Sequence, residues 1–341
     1  MKNRYFNLIF LVLIVLSACN NKLEINGPLK ETTVVYGLLN HVDDVQYIKV
    51  YKAFVTEDNL YDAAKNPDNI YYYDSINVYL EKLRLDGNMF VSEGIIEFDT
   101  TTAIPKDAGV FSSPYQVLYR TKDGQPALDN SYYYRVVVEN KYTGKQTSAI
   151  TNLISYPSVF DFNPFRLKSF YPNTTLMINP FTRLTMVAPE NSAQIMVNFE
   201  FYYRERNAIT NEVVKKGPIV INLASSKSLK HDTDFDLNLN GGRFLTTLSS
   251  KLEADPNIVR YDDTCSIVVW AAGEEFVRYN DVNAPSISIV EERPSYTNVA
   301  NGLGLFSSRF YYRYDNVLLN KSAVDSLKHS PTVKNLNFYA Y

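Results

Sequence analysis

The densest group of oxygen-bearing side chains in the sequence lies within residues 232–241. Asp236, Asn238, Asn240 and the glycine that follows match the opening of a calcium loop, because this cation takes several oxygen ligands. The match then ends, since position twelve is Thr247 where a bidentate glutamate is expected. Two interpretations stay open: a calcium site, or a strand with its acids in water that ends at the N-cap of a helix.

Nucleophiles and titratable groups form no catalytic motif in this sequence. His41, His231 and His329 are far apart, and none has the spacing of a metal site or a hydrolase triad. Cys265 lies in an apolar, strand-like run, where a free cysteine usually behaves as a small buried hydrophobe. No glycine-rich phosphate loop is present. We therefore expect no enzyme activity, no catalytic residue and no cofactor.

Tyrosine is unusually frequent, with 27 copies against a single tryptophan, and it occurs in clusters. Such rings can stack on glycans or anchor a protein partner. Neighbouring residues of a strand point to opposite faces, so each cluster in a strand places at least one ring outwards. Tyr71, Tyr72 and Tyr73, which follow Pro67, are the binding candidates. The alternative is that the outward tyrosines only cover the sheet.

The first nineteen residues have the three parts of a signal peptide. A basic start precedes an apolar stretch over residues 6–16, and the small pair Ser17-Ala18 directly precedes Cys19. This apolar stretch is well short of the roughly 20 residues that a membrane-spanning helix needs. The four residues ending at Cys19 resemble the bacterial lipobox, in which the cysteine is acylated and becomes the new N-terminus. The resemblance implies that Cys19 anchors the chain in a lipid bilayer.

The remaining composition narrows the class of partner. Only Cys265 is left once Cys19 carries lipid, so no internal disulfide is expected. The formal charge is -3, and loss of Lys2 and Arg4 with the leader moves it to about -5. Because nucleic-acid binding depends on clustered lysine and arginine, a nucleic-acid partner is disfavoured.

The elements that must position these residues are predicted to be mainly β, arranged as a two-domain β-sandwich protein. About 320 residues follow the leader, more than one core usually fills. Ile76, Val78 and Leu80 alternate with polar residues, the period of a half-buried strand. After a tether at 20–29, we place the first domain at 30–156, a linker at 157–180 and an antiparallel domain with short helices at 181–341. The linker is rich in proline, asparagine and phenylalanine.

The end of the first domain resembles the last strands of a fibronectin type III or related immunoglobulin-like sandwich. In that family a leucine six residues before a tyrosine forms the tyrosine corner, and Leu128 and Tyr134 have this spacing. The resemblance implies that Tyr134, Val136 and Val138 face the core. It also implies that the sandwich closes near Tyr156.

The second domain is predicted to contain a long hairpin. Alternating apolar residues over 195–203 are followed by a turn at 207–211 and a returning strand at 213–223. Apolar faces and caps predict helices over 242–253, 273–283 and 322–329, and another over 57–66 in the first domain. Residues 336–341 are predicted to form a final strand.

Four segments, 34–40, 47–54, 104–111 and 298–306, together resemble an uncharacterised family of Bacteroidota outer-membrane lipoproteins. The resemblance implies an immunoglobulin-like N-terminal sandwich, a second β-rich domain, and genes often beside TonB-dependent transporters. It transfers no catalytic residue. We therefore expect a non-enzymatic binding or accessory lipoprotein of the outer membrane, either periplasmic or surface-facing, whose partner is an outer-membrane transporter, another envelope protein or a glycan. The alternatives are a structural or adhesive surface protein and, third, a glycan-active enzyme built from dispersed acids.

Overall fold

The computed structural model describes residues 32–53, 59–109, 115–156, 169–170, 181–227, 234–284, 295–319 and 321–339. The prediction of a mainly β protein is confirmed. The strands are β1 Thr32–Leu39, β2 Tyr47–Ala53, β3 Ile76–Asp86, β4 Met89–Thr101, β5 Leu118–Thr121, β6 Tyr133–Asn140, β7 Gln146–Asn152, β8 Ser169–Phe170, β9 Phe181–Val187, β10 Gln194–Asn207, β11 Val213–Lys227, β12 Asp234–Asn240, β13 Ile258–Asp262, β14 Cys265–Ala272 and β15 Leu303–Leu319.

The helices are short, and the last of them follows the final strand. They are α1 Leu60–Ala63, α2 Gly241–Lys251, α3 Glu274–Asn283 and α4 Lys321–His329, with 3-10 turns at Pro67–Asn69, Tyr73–Ser75 and Lys334–Leu336. Among the described residues, no helix has the length and apolar character needed to cross a bilayer.

Eleven described strands join edge to edge in the order β11-β10-β14-β15-β1-β2-β5-β4-β3-β6-β7. In addition, β13 pairs with β10, β8 pairs with β15, and β9 pairs with β12 as a separate ribbon. Neighbours along the main path are antiparallel except for β1 and β15, which run parallel. This parallel pair joins the N-terminal and C-terminal halves of the sheet.

The first core is built by strand alternation. Ile76, Val78 and Leu80 are buried as predicted, and they pack with residues of β1, β2 and β6. The tyrosine corner is present, because the Asp129 backbone amide donates to the Tyr134 hydroxyl at 2.8 Å and that hydroxyl lies 3.3 Å from the Asp129 carbonyl. Burial raises the pKa of Tyr134 to about 12.

The second core lies between the β10 region of the sheet and α2. Phe199 and Phe201 of β10 pack against Phe244 of α2, with ring centroids 5.9 and 5.2 Å apart. Cys265 is fully buried in this core, and burial raises the pKa of its thiol. The expectation that Cys265 behaves as a buried hydrophobe is therefore confirmed.

Strand β15 belongs to both cores. Its first part, Leu303–Ser308, pairs with Val34–Leu39 of β1, and its later part pairs with β14. Val299 and Phe306 pack into the first core, whereas Phe310 packs into the second. The first core thus recruits residues from the range assigned by sequence to the second domain, because a strand added late in the chain completes its sheet.

Most of the predicted helices are present, and one predicted strand is not. The helices expected at 242–253, 273–283 and 322–329 are α2, α3 and α4. The final strand at 336–341 is wrong for its described part, because residues 334–336 form a 3-10 turn and Asn337 is left-handed with φ 54°. The leader, Cys19, the tether and all of the 157–180 linker except β8 lie outside the described residues.

Candidate functional site

The outer face of the sheet carries a row of tyrosine and lysine next to the parallel junction. In β2, Ile48 and Val50 are buried in the first core, so the alternating residues Tyr47, Lys49 and Tyr51 point the other way. A sheet that packs only one face on the core usually carries polar side chains on its other face. Here the outer face instead carries large aromatic rings around a lysine.

Strand β1 lies next to this row and continues it. Val35 and Leu39 pack in the core, which turns Tyr36 and Leu38 outwards. Tyr36 is the register partner of Lys49 in β2 and of Leu305 in β15. The outer faces of three strands therefore meet at Tyr36.

Helix α3 forms a wall beside this face. It follows β14 directly, and the Gly273 amide donates to the Ser308 carbonyl at 2.9 Å. The Phe276 amide donates to the Ser307 hydroxyl at 3.3 Å. A side chain at position 273 would press on both serine hydroxyls, so a glycine fits there. Backbone contacts of this kind fix the start of α3 on β15.

A cleft of about 400 Å³ lies between the sheet face and α3. We call it the junction cleft, and we define it by Tyr36, Tyr47, Lys49, Phe276, Tyr279 and Arg309, all of which line it. Its volume is within the range of roughly 300–1,000 Å³ that is typical of small-molecule sites. Strands β1 and β2 and helix α3, which follows β14, all contribute to its walls.

The tyrosines of the junction cleft contact one another. The Tyr36 and Tyr279 hydroxyls lie 3.1 Å apart, and their rings meet edge to face with centroids 6.0 Å apart. Tyr51 stacks on the other side of Tyr36 at 6.2 Å. Burial, together with the hydrogen bond to Tyr279, raises the pKa of Tyr36. Tyr36 therefore stays a neutral phenol at physiological pH, able to donate and accept hydrogen bonds.

Lys49 is the half-buried cation of the cleft. Its Nζ lies 3.4 Å from Gln116 Oε1, and the Gln116 amide nitrogen donates to the Ile104 and Pro105 carbonyls. These two bonds orient the amide so that its oxygen faces Lys49. Burial, and secondarily the charge of Lys106, lowers the pKa of Lys49.

The other charges of the cleft form a pair. Arg309 lies 2.6 Å from the Asp43 carboxylate, which also accepts a hydrogen bond from the Asn40 amide at 2.7 Å. Each charge of this pair is balanced by the other. Lys49, by contrast, has no carboxylate within 4.0 Å among the residues described.

A second cavity, of about 470 Å³, opens where β4 leaves β3. β4 pairs with β3 up to Glu97 and with β5 from Phe98 onwards, and this crossing separates the strands. Glu97 and Asp99 at its rim lie 2.6 and 3.7 Å from the same Lys122. A glycosidase needs two carboxylates that flank a sugar, whereas here Glu97 and Asp99 lie on one side chain, Lys122, and the third lining acid is Asp74.

The three tyrosines that the sequence predicts as binding candidates are mostly buried. Tyr71 and Tyr72 are 2% and 4% exposed, which does not favour them as contacts for a partner, and the three binding candidates stay a prediction. They lie outside any strand, and alternation of neighbouring side chains does not apply there. Tyr71 packs with Ile70 and Val117 in a small apolar cluster. Tyr73 is half-buried and packs against this cluster.

The calcium candidate lies on a regular strand. The backbones of Asp236 and Asn238 pair with Thr185 and Arg183 of β9, and α2 begins directly after Asn240. This agrees with the strand interpretation of the segment. The side chains of 234–240 lie outside the described part, so a calcium site there stays a prediction. Within the residues described, no group of three or more acidic, histidine or cysteine side chains could hold a metal.

Two of the three histidines are described, and they have different surroundings. His41 lies between the rings of Tyr156 and Phe310, with centroids 4.8 and 5.8 Å away. His329 lies at the end of α4, 3.1 Å from the Asp325 carboxylate. His231 is outside the described residues. Neither described histidine lines either of the two cavities.

The residues of the junction cleft were not singled out by sequence. A signal was present, because Tyr47, Lys49 and Tyr51 alternate with Ile48 and Val50 at period two. That pattern assigns the tyrosines to the face opposite the core. The contribution of α3 had no comparable signal, since its packing on β1 is set by the order of the strands. The chain matches no known protein-family model and no curated protein.

Proposed function

We propose that this chain is a non-enzymatic binding protein, tethered to the outer membrane by lipid on Cys19, and that it takes a small ligand into the junction cleft. The observation that carries the proposal is the cleft itself, which has a volume of about 400 Å³ and is lined by Tyr36, Tyr279 and Phe276 together with the half-buried Lys49. Aromatic walls with a few oriented polar groups are the usual composition of ligand sites.

The absence of catalytic residues from this arrangement favours binding over turnover. Tyr36 and Tyr279 are phenols bonded to each other, and burial with the Tyr279 contact keeps the pKa of Tyr36 above its ordinary value. A general base needs a pKa near the working pH. Among the described lining residues, the one carboxylate, Asp43, is engaged by Arg309.

A glycan array probed with the mature chain tests this proposal. We expect binding to a defined subset of sugars. We expect Leu38→Trp, which puts a larger side chain at a lining position of the cleft, to abolish this binding. Leu318→Trp, a change at an exposed position of β15 outside the cleft lining, is the matched control. If Leu38→Trp folds and binds the same sugars as the unaltered chain, the cleft is not the site.

A second candidate function, docking on another envelope protein such as an outer-membrane transporter, is favoured by one separate feature. The β3–β4 hairpin extends past its neighbours, because β6 pairs with β3 only as far as Leu83 and β5 pairs with β4 only from Phe98. Beyond these points its apolar side chains are exposed, including Leu85, Met89, Phe90, Val91 and Ile95. Exposed apolar clusters of this kind commonly mark protein contacts.

Affinity purification from detergent-solubilised membranes tests the docking role. We expect a co-purifying envelope protein to be lost from the double variant Met89→Asp, Ile95→Asp and kept by Tyr142→Asp, a change at a highly exposed position of another hairpin. Retention of the same protein by the hairpin variant would contradict docking through this surface.

A further inference from the structure

The charge of the junction cleft restricts what can bind in it. Arg309 is compensated by Asp43 at 2.6 Å, whereas Lys49 has no carboxylate within 4.0 Å in the described part of the chain. An ammonium group has three donors, and the contact with Gln116 at 3.4 Å uses one of them. The Nζ of Lys49 also lies 5.8 Å from the centroid of the Tyr51 ring. Among the described residues, the cleft therefore offers a positive charge that has no carboxylate partner and has donors left for a ligand.

This charge is costly for the protein to keep. Burial lowers the pKa of Lys49, because removing an ammonium group from water disfavours its charged form, and Lys106 adds repulsion. The whole chain is net negative, at -3. A local positive site in a negative protein, placed between low-dielectric aromatic walls, concentrates its field on an anion that enters.

The walls of the cleft indicate what carries the anion. Tyr36, Tyr47 and Tyr279 offer ring faces or edges together with hydroxyl groups that donate and accept hydrogen bonds. A sugar has the complementary surface, since its C–H face packs on rings while its hydroxyls bond at the edge. A purely apolar anion would leave the phenolic hydroxyls without partners other than each other.

We propose that the junction cleft binds a sugar bearing a carboxylate or phosphate, with the anionic group on Lys49 Nζ and the sugar ring against Tyr36 and Tyr279. This inference rests on the proposed binding function of the cleft and adds the ligand class. It names Lys49 as the residue that selects charged sugars over neutral ones.

Saturation-transfer difference NMR on the mature chain, which detects weak binding of small sugars, tests the ligand class. The probes are D-glucuronate, D-glucose 6-phosphate and D-glucose, which share one ring and differ in charge. We expect at least one anionic probe to bind more tightly than glucose by roughly ten- to hundredfold, the range of a charge-assisted hydrogen bond. The two anionic probes distinguish a carboxylate from a phosphate ligand.

Variants on strand β2 test whether Lys49 is responsible for the selectivity. Lys49→Met should abolish the preference for the anionic probe over glucose, and Lys49→Arg should retain that preference. Lys52→Met is the matched control on β2, because Lys52 lies over the Tyr72 ring outside the cleft lining. Thermal unfolding of each variant checks the fold, and we expect no loss of stability in Lys49→Met since a half-buried charge is removed.

The outcomes separate this inference from the proposed function. Equal binding of glucose and the anions, lost in Leu38→Trp, would overturn the acidic-sugar class and keep the cleft as a binding site. Anion binding that survives both Lys49→Met and Leu38→Trp would overturn both proposals. Anion binding lost in both variants and kept by Lys52→Met supports both.

Discussion

The hydroxyl of Tyr36 lies 3.1 Å from the hydroxyl of Tyr279, a residue 243 positions further along the chain. This contact joins β1, the first described strand, to α3, which follows β14. We expect a double-mutant cycle of Tyr36→Phe and Tyr279→Phe, read by urea unfolding, to give a coupling free energy of about 1 kcal/mol, the net value of one hydrogen bond. Strictly additive effects of the two changes would contradict the contact.

Because of His41, the free energy of unfolding should decrease as the pH falls below neutral. Burial lowers the pKa of His41 below its ordinary 6.5, with Asp43 opposing in part. The folded state therefore favours the neutral ring. Its contribution to stability is complete above about pH 6.5 and is lost as the pH falls through the folded pKa. We expect His41→Phe, which keeps a ring beside Phe310, to lose less free energy of unfolding between pH 7.5 and 5 than the unaltered chain. Parallel pH curves for the two proteins would count against this.

The parallel junction depends on a glycine. Gly304 has φ 115°, and a Cβ there would overlap the Val35 carbonyl oxygen. We expect Gly304→Ala to lower the free energy of unfolding by about 3–5 kcal/mol, from strain and overlap together. Gly124→Ala is the matched control, since Gly124 also has positive φ but no neighbour within 4 Å, and it should cost about 1–2 kcal/mol. An equal loss of free energy of unfolding in the two variants would show that the close approach to Val35 does not determine the need for glycine at position 304.

The buried thiol of Cys265 should be unreactive in the folded protein. Burial raises its pKa, and the thiolate is the reactive form. A chain beginning at residue 20, treated with a thiol reagent, should react only after urea is added. Tyr142→Cys, at a position 82% exposed, provides a fast-reacting comparison. Rapid modification of Cys265 without denaturant would contradict its burial.

Lipid attachment is predicted to depend on one residue. In cells fed labelled palmitate we expect the chain to carry the label, and we expect Cys19→Ala to lose it and to leave the membrane fraction, because stable anchoring takes two hydrophobic chains. An unlabelled parent chain, cleaved near the same place, would instead indicate an ordinary signal peptide.

The strands were predictable where the signal is local. Alternation over 76–80 and 195–203 reports which face of a strand is buried, and both patterns match the observed cores. The tyrosine corner was predictable because Leu128 and Tyr134 are close in sequence. Helix α2 was predictable from the spacing of its apolar residues alone.

The site was less predictable because it depends on neighbours distant in sequence. The burial of Tyr71 and Tyr72 could not be predicted from strand alternation, because they lie outside a strand, and Tyr73 has φ 49°. The junction cleft requires α3 beside β1, an arrangement set by the order of strands in the sheet. The sequence did not indicate that the charge of Lys49 lacks a carboxylate partner, because this depends on which acidic residues fold near it.

The pairing of β15 with β1 also determines the order in which parts of the chain can fold. Phe306 fills the first core, yet it is synthesised long after the strands that surround it. Contacts between distant parts of a sequence form slowly, and until this one forms β1 has an open edge. A newly made chain would thus keep the edge of β1 open until its C-terminal region has been synthesised. During that interval β15 of another molecule could take the vacant place, so strand exchange between copies is the natural misfolding route.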